Sequence, residues 1–277
     1  MIHWERRLAV LGSPIGHSLS PALHRAAYRM LGLDWGYGVA EVAAGHLKAF
    51  LDGLDDSWRG LSLTMPLKRE VLPLLGEPDA VIELVGAANT VLLDDGRILG
   101  FNTDVYGAGK AIEEVRKGSI DHALLLGSGA TAASVLAALA GLGVTSVRVA
   151  TRSPGRTTDL VGLAGRLGVN VEMTGFEGTV APTDLVVSTL PGTAGLVRAF
   201  PADLRASVPL LDIAYDPWPT AISQHWLEEG GTVRSGLGML LHQAHAQVRV
   251  FVNGDPLTPL ENDDGVLAAM REALERP

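Results

Sequence analysis

Residues 122–143 read HALLLGSGATAASVLAALAGLG, and their interpretation decides the fold. An apolar run of strand length leads straight into Gly127-Ser128-Gly129-Ala130-Thr131-Ala132, and an Ala/Leu-rich helical pattern follows. This is G-x-G-x-x-A in the strand–turn–helix setting that a dinucleotide-binding α/β unit requires. Gly127 permits the tight turn, and Gly129 lets the backbone approach a pyrophosphate. Ala132 is small enough for the helix to pack on the strand. Ser128, Ala130 and Thr131 complete a turn whose helix N-terminal amides and dipole favour an anion. A lone glycine motif arises easily in a chain with 33 glycines among 277 residues, so its weight comes from the flanking strand and helix.

The next apolar run, SVRVA at 146–150, ends in Thr151-Arg152-Ser153-Pro154-Gly155-Arg156. A site for NAD would carry an acidic residue at this strand end, to hold the ribose hydroxyls. Two arginines and two hydroxyls stand there instead. Guanidinium groups match a phosphate bidentately, so the arrangement predicts selection of the extra 2′-phosphate of NADP. The bland alternative is a solvated basic loop.

Outward from this stretch, strand-like and helical patterns alternate along almost the whole chain, which predicts an α/β class. LAVLG at 8–12, GYGVAEV at 36–42 and GLSLTMP at 60–66 read as strands. Ser20-Pro21 opens a helix with Ser20 as its N-cap, and Gly32 closes it. AANTVLLDDGRILGFN predicts a hairpin turned at Asp95-Gly96, hence a mixed sheet in the first half. A change of domain comes near residues 105–121, where VYGAGKAIEEVRKGSID reads as a helix and then a polar connector. The expected organisation is residues 1–104 with 238–277 as a substrate-binding domain and 105–237 as a Rossmann-type NADP domain.

Composition bounds the function. Hydrophobic residues make up 47% and charged residues 19%, which fits a soluble globular protein. The 22 basic and 31 acidic residues leave a charge of −9 without a basic cluster, which argues against nucleic acid as a partner. There is no cysteine, hence no disulfide framework and no thiolate metal site. No window approaches the roughly 18 apolar residues of a membrane span, and LAVLG is too short for a signal segment. A cytoplasmic protein is expected. His242 and His245 share a helix face, but no zinc-enzyme motif accompanies them, so no metal is expected. His24 reads as packing or surface, and Trp218-Pro219 as a rigid loop.

In the first half, SLTMPLK places Thr64 and Lys68 just past a strand that stops at a proline. Either they belong to a solvated loop, or the strand end holds them in a site. GSPIGHSLSP offers Ser18 and Ser20 at a helix start, where two hydroxyls and the helix N-terminus can hold a carboxylate. GAANT offers Asn89, GFNTD offers Asp104 and GMLLHQA offers Gln243. Singly, each has a structural account as a cap, a turn residue or a helix surface residue.

Together and in this order, these stretches resemble the shikimate dehydrogenases. The resemblance covers nearly the whole chain and includes GSGAT, TRS and DIAYDPWPT; the wording of SLTMP and YDPWPT is most similar to the actinobacterial branch. It implies that Ser18, Ser20, Thr64, Lys68, Asn89, Asp104, Tyr215 and Gln243 bind shikimate in a cleft between the two domains. It also implies that Ile213, Gly236 and Met239 lie near the nicotinamide, and that the last helices return to the first domain. The sequence departs from the family pattern at Ser62 and Ser188, where asparagine is common, and at Thr151-Arg152-Ser153, where Asn-Arg-Thr is common. Reduction of a ketone leaves negative charge on oxygen and needs a proton donor or cation there. Lys68 is the leading acid/base, with Asp104 as its partner; the alternative is that Lys68 chiefly binds and polarises. Monomer and homodimer are both open. So are a mixed quinate/shikimate specificity and a non-catalytic NADP-binding sensor on the same scaffold.

Overall fold

The computed structural model describes residues 4–76, 78–152, 157–177, 181–195 and 199–275. The chain forms two compact units, one of Met1–Thr103 with Leu240–Pro277 and one of Asp104–Met239.

The first unit is built on a five-stranded sheet. Strands β1 (Arg6–Gly12), β2 (Trp35–Glu41) and β3 (Trp58–Leu63) run parallel, and β4 (Thr90–Asp94) runs antiparallel to both β3 and β5 (Arg97–Phe101). Their order is β2-β1-β3-β4-β5, the mixed sheet that the hairpin pattern predicts. The turn sits at Asp95 and Gly96, both with positive φ (47° and 76°), as a two-residue hairpin turn requires. Leu11, Leu61, Leu63 and Val91 from the strands join Leu67 in one apolar core. Helix α1 (Ser20–Met30) follows β1, and α2 (Leu47–Asp52), α3 (Leu67–Glu70) and α4 (Ala80–Val85) fill the later connections.

The start of α1 differs from the expectation. Ser20 is its first helical residue and not its cap; Leu19 occupies the cap position and makes no side-chain capping bond. The Ser20 amide donates to Ser18 Oγ at 3.3 Å, so the hydroxyl two residues upstream takes the acceptor role expected of Ser20. Gly32 follows the helix with φ 68°, where a side chain would be strained.

The second unit begins with α5 (Asp104–Val115) and continues through β6 (His122–Leu126), α6 (Ala130–Gly141), β7 (Ser146–Ala150), α7 (Thr158–Leu167) and β8 (Asn170–Thr174). After it come β9 (Leu185–Ser188), α8 (Ala202–Ser207), β10 (Leu210–Asp212), α9 (Ala221–Leu227) and β11 (Val233–Ser235). All six strands are parallel in the order β11-β10-β9-β6-β7-β8, the doubly wound Rossmann order. Chain progression reverses beside β6, so the glycine loop after β6 stands at the switch point where such sheets take ligands. Helix α6 is buried throughout residues 132–139, which is why it reads apolar all round. Among the described residues, no helix is long and apolar enough to cross a membrane.

Helices α10 (Leu237–Asn253) and α11 (Asp263–Glu275) end the chain and return to the first unit. Arg59 on β3 donates to the Phe251 carbonyl on α10 at 3.0 Å, and a side chain at Gly60 would strike the Phe251 ring. Helix α11 lies on α1. Arg249 grips the Asp263 carboxylate with two nitrogens, fixing α11 to α10.

Candidate active site

In the first unit, the expected substrate residues gather at one edge of the sheet. Strands β1 and β3 are parallel neighbours, so the loops after them leave from the same edge, and antiparallel β4 starts there. Ser18 and Ser20 follow β1, Thr64 and Lys68 follow β3, and Asn89 precedes β4. Main-chain bonds lace these segments together. The Ser13 amide donates to the Met65 carbonyl, the Thr64 amide to Leu11, the Leu63 amide to Asn89, and the Ala88 amide to Lys68, all at 2.8–3.0 Å. Gly12 has no room for a side chain, because Thr64 Cγ2 and the Met65 carbonyl close over it. Thr64 and Lys68 are therefore half-buried parts of a braced strand end, not members of a loose loop.

Asn89 is buried and engaged at both ends of its carboxamide. Its Oδ1 accepts from the Thr103 amide at 2.8 Å and the Thr90 hydroxyl at 3.0 Å, while Nδ2 donates to Gln243 Oε1 at 2.9 Å. Gln243 lies on α10, so this bond ties the returning helix to the sheet edge. A buried amide with every group paired is held rigidly, since any rotation leaves a polar group unsatisfied.

The second unit carries the remaining candidates. Asp104 is buried and opens α5, one residue after Thr103. Gly127 has φ 107°, and a side chain there would strike the Thr189 hydroxyl. Gly129 precedes α6, and a Cβ added there would project into open space before the helix N-terminus. Ser128, Ala130 and Thr131 are half-buried and Gly129 is exposed, while Ala132 is fully buried. The Ser128 and Thr151 hydroxyls meet at 3.0 Å, joining the glycine loop to the end of β7, and Arg152 is exposed just beyond. These features fit a dinucleotide pyrophosphate on the loop. Ser153 and Arg156 lie outside the described residues.

Ile213 and Gly236 are in backbone contact. A side chain at Gly236 would overlap Ile213, and the Gly236 amide donates to the Ala214 carbonyl at 3.2 Å. Met239 is buried in the first turn of α10. The loop carrying Tyr215 is pinned at both ends, because buried Asp212 accepts from the Thr220 and Ser223 hydroxyls at the start of α9. Burial, and then the charge of Asp216, raises the Tyr215 phenol above its ordinary range and keeps it protonated.

A family model described as the shikimate dehydrogenase substrate binding domain matches residues 10–91. The NADP-dependent shikimate dehydrogenase of Rubrobacter xylanophilus is 35% identical over 96% of this chain and 94% of its own length. The chain belongs to the shikimate dehydrogenase family. Among solved structures, the shikimate dehydrogenase of Mycobacterium tuberculosis is 38% identical, with a TM-score of 0.81 over 96% of this chain and 99% of its own. A quinate dehydrogenase from Corynebacterium glutamicum in complex with NAD superposes with a TM-score of 0.85 at 28% identity, over 99% of this chain and all (100%) of its own. The fold is thus shared by relatives named for different acids and cofactors, so the fold alone does not select between them.

Several contacts beside this sheet edge were not legible in the sequence. Ser62, where the family commonly has asparagine, does not face outward: it is buried, accepts from the Tyr37 hydroxyl at 2.6 Å and donates to Gln247 Oε1 at 2.9 Å. His24 is fully buried, stacked on Tyr37 with ring centres 4.0 Å apart. Desolvation lowers its pKa to about 3, against a smaller opposing effect of its bond to Gln247. Thr90, Thr103 and Gln247 also went unread; the one available signal was the spacing of Gln243 and Gln247, four apart on a helix. Among the described residues no cluster of histidine and carboxylate side chains could hold a metal ion. His245 instead lies against Asp263 at 3.3 Å.

Proposed function

We propose that this chain catalyses, in the cytoplasm, the reversible NADPH-dependent reduction of 3-dehydroshikimate to shikimate, a step of aromatic amino-acid biosynthesis. What supports this reading most is the gathering of Ser18, Ser20, Thr64, Lys68, Asn89 and Gln243 at one braced sheet edge in a member of this family. The first unit is the substrate-binding domain and the second the NADP domain, which also supplies Asp104 and Tyr215 to the substrate.

NADPH, when bound, supplies a hydride to the ketone carbon. The ketone oxygen then needs a proton, which Lys68 donates; in the reverse direction its neutral amine takes the proton from the alcohol. Asp104 orients the Lys68 ammonium and accepts from a ring hydroxyl. Ser18 and Ser20, at the N-terminus of α1, hold the substrate carboxylate through their hydroxyls and the helix dipole. Asn89 and Gln243 read ring hydroxyls, and an analogue lacking one would forgo that bond. On the cofactor side, Gly127, Ser128, Gly129, Ala130 and Thr131 cradle the pyrophosphate. Thr151, Arg152, Ser153 and Arg156 take the adenosine ribose and its 2′-phosphate, and Ile213, Gly236 and Met239 border the nicotinamide.

The test is kcat/KM for shikimate and quinate, each with NADP and NAD. Shikimate with NADP should exceed the other pairs by about a hundredfold, the discrimination a hydroxyl-reading or phosphate-reading site supplies. Comparable values for both acids would overturn the substrate assignment, and comparable values for NAD and NADP the cofactor assignment. NADP binding without turnover of either acid would favour a sensor.

A further inference from the structure

Gln247 is buried on α10, one turn beyond Gln243 and on the same face. Its carboxamide is bonded at every position. Nε2 lies 3.1 Å from both the Asn89 carbonyl and Thr90 Oγ1; Oε1 lies 2.9 Å from Ser62 Oγ and 3.2 Å from His24 Nε2. A main-chain carbonyl can only accept, so the NH2 group must face Asn89 and the oxygen must face Ser62 and His24. His24 therefore carries its proton on Nε2, and its bare Nδ1 accepts from the Tyr28 hydroxyl at 3.2 Å. The direction of every bond in the cluster follows from that one carbonyl.

The same logic reaches the substrate side. Thr90 Oγ1 accepts from Gln247, which commits its own proton to Asn89 Oδ1. With Oδ1 held by Thr90 and the Thr103 amide, Asn89 must present Nδ2 to Gln243. Gln243 then accepts through Oε1 and turns its NH2 group away from Asn89. Helix α10 thus grips Asn89 twice, Gln243 by the side chain and Gln247 by the main chain and through Thr90.

We infer that Gln247 is a positioning residue that sets the orientation of the Asn89 and Gln243 amides, and so the donor and acceptor pattern offered to the substrate hydroxyls. This rests on the reading of Asn89 and Gln243 as substrate contacts. Gln247→Met keeps length and flexibility but removes all four bonds. It should raise KM for shikimate about tenfold, equivalent to about 1.4 kcal/mol, while kcat and KM for NADP move less than about threefold. Thr90→Val removes only the two bonds of the relay, from Gln247 and to Asn89, and should raise the same KM severalfold. Because Gln247 acts largely through Thr90, the double variant should be no worse than Gln247→Met alone. Should Gln247→Met fail to fold, Thr90→Val carries the test with the same selective rise in shikimate KM. A shikimate KM within about twofold of wild type in both single variants, parallel losses for shikimate and NADP, or fully additive effects in the double variant would overturn the inference. A wild-type protein that turns over no shikimate would instead overturn the proposed function and this inference with it, an outcome read before any variant is made.

Discussion

His24 makes the fold sensitive to acid, by an amount that follows from its surroundings. In an unfolded chain the imidazole titrates near 6.5; in the fold, burial lowers it to about 3. The groups against it are the Tyr28, Tyr37 and Phe251 rings and the Gln247 amide, and both phenols are themselves pushed upward by burial, so among the described residues no anion stabilises a charged ring. Between the two values the unfolded chain binds the extra proton. The contribution is therefore fully present above pH 6.5 and is lost as pH falls through the window toward 3. At about 1.4 kcal/mol per pH unit, the loss is about 2 kcal/mol at roughly pH 5, with a ceiling of about 5 kcal/mol in stronger acid. His24→Gln keeps a polar side chain but cannot take up this proton. Urea denaturation of both proteins, followed by tryptophan fluorescence between about pH 7 and 5, isolates the effect, because all other groups titrate in both. Wild type should lose about 2 kcal/mol more than the variant, or roughly 4–8 °C in Tm. Slopes agreeing within about 0.5 kcal/mol would refute the reasoning, since they would mean that water or a rearranged partner solvates the ring cation.

Other perturbations test separate parts of the structure. Lys68→Ala should lower kcat by about 10²–10⁴, with NADP binding measured by fluorescence titration unchanged, if the amine carries the proton. Arg152→Ala should raise KM for NADP far more than KM for NAD, whereas equal changes would show that it does not read the 2′-phosphate. For Asp263, burial raises the carboxyl, but the Arg249 hydrogen bond and further bonds more than offset it, so it sits below the usual range. Arg249→Met should therefore cost about 3 kcal/mol at neutral pH and lower amide protection in α11, read by urea denaturation and hydrogen exchange.

The sequence by itself determined the elements whose cause is local. Gly127 and Gly129 between an apolar strand and an apolar helix specified the second unit, because only a tight turn at a switch point needs that combination. Asp95-Gly96 specified the hairpin, since both residues must adopt positive φ. The motif stretches also brought Ser18, Thr64, Lys68, Asn89 and Gln243 to notice, although each alone had a structural explanation. Tertiary structure decided what those residues touch. Ser20 reads as a cap from its neighbours, yet Ser18 accepts its amide. Ser62 reads only as a departure from the family's asparagine, yet its hydroxyl turns into the core toward Tyr37 and Gln247. His24 and Gln247 are 223 positions apart, and no periodicity or spacing rule links them. Local patterns follow from bonds between near neighbours in the chain, whereas the pairing of buried polar groups is fixed only when distant segments are driven together and every donor must find an acceptor.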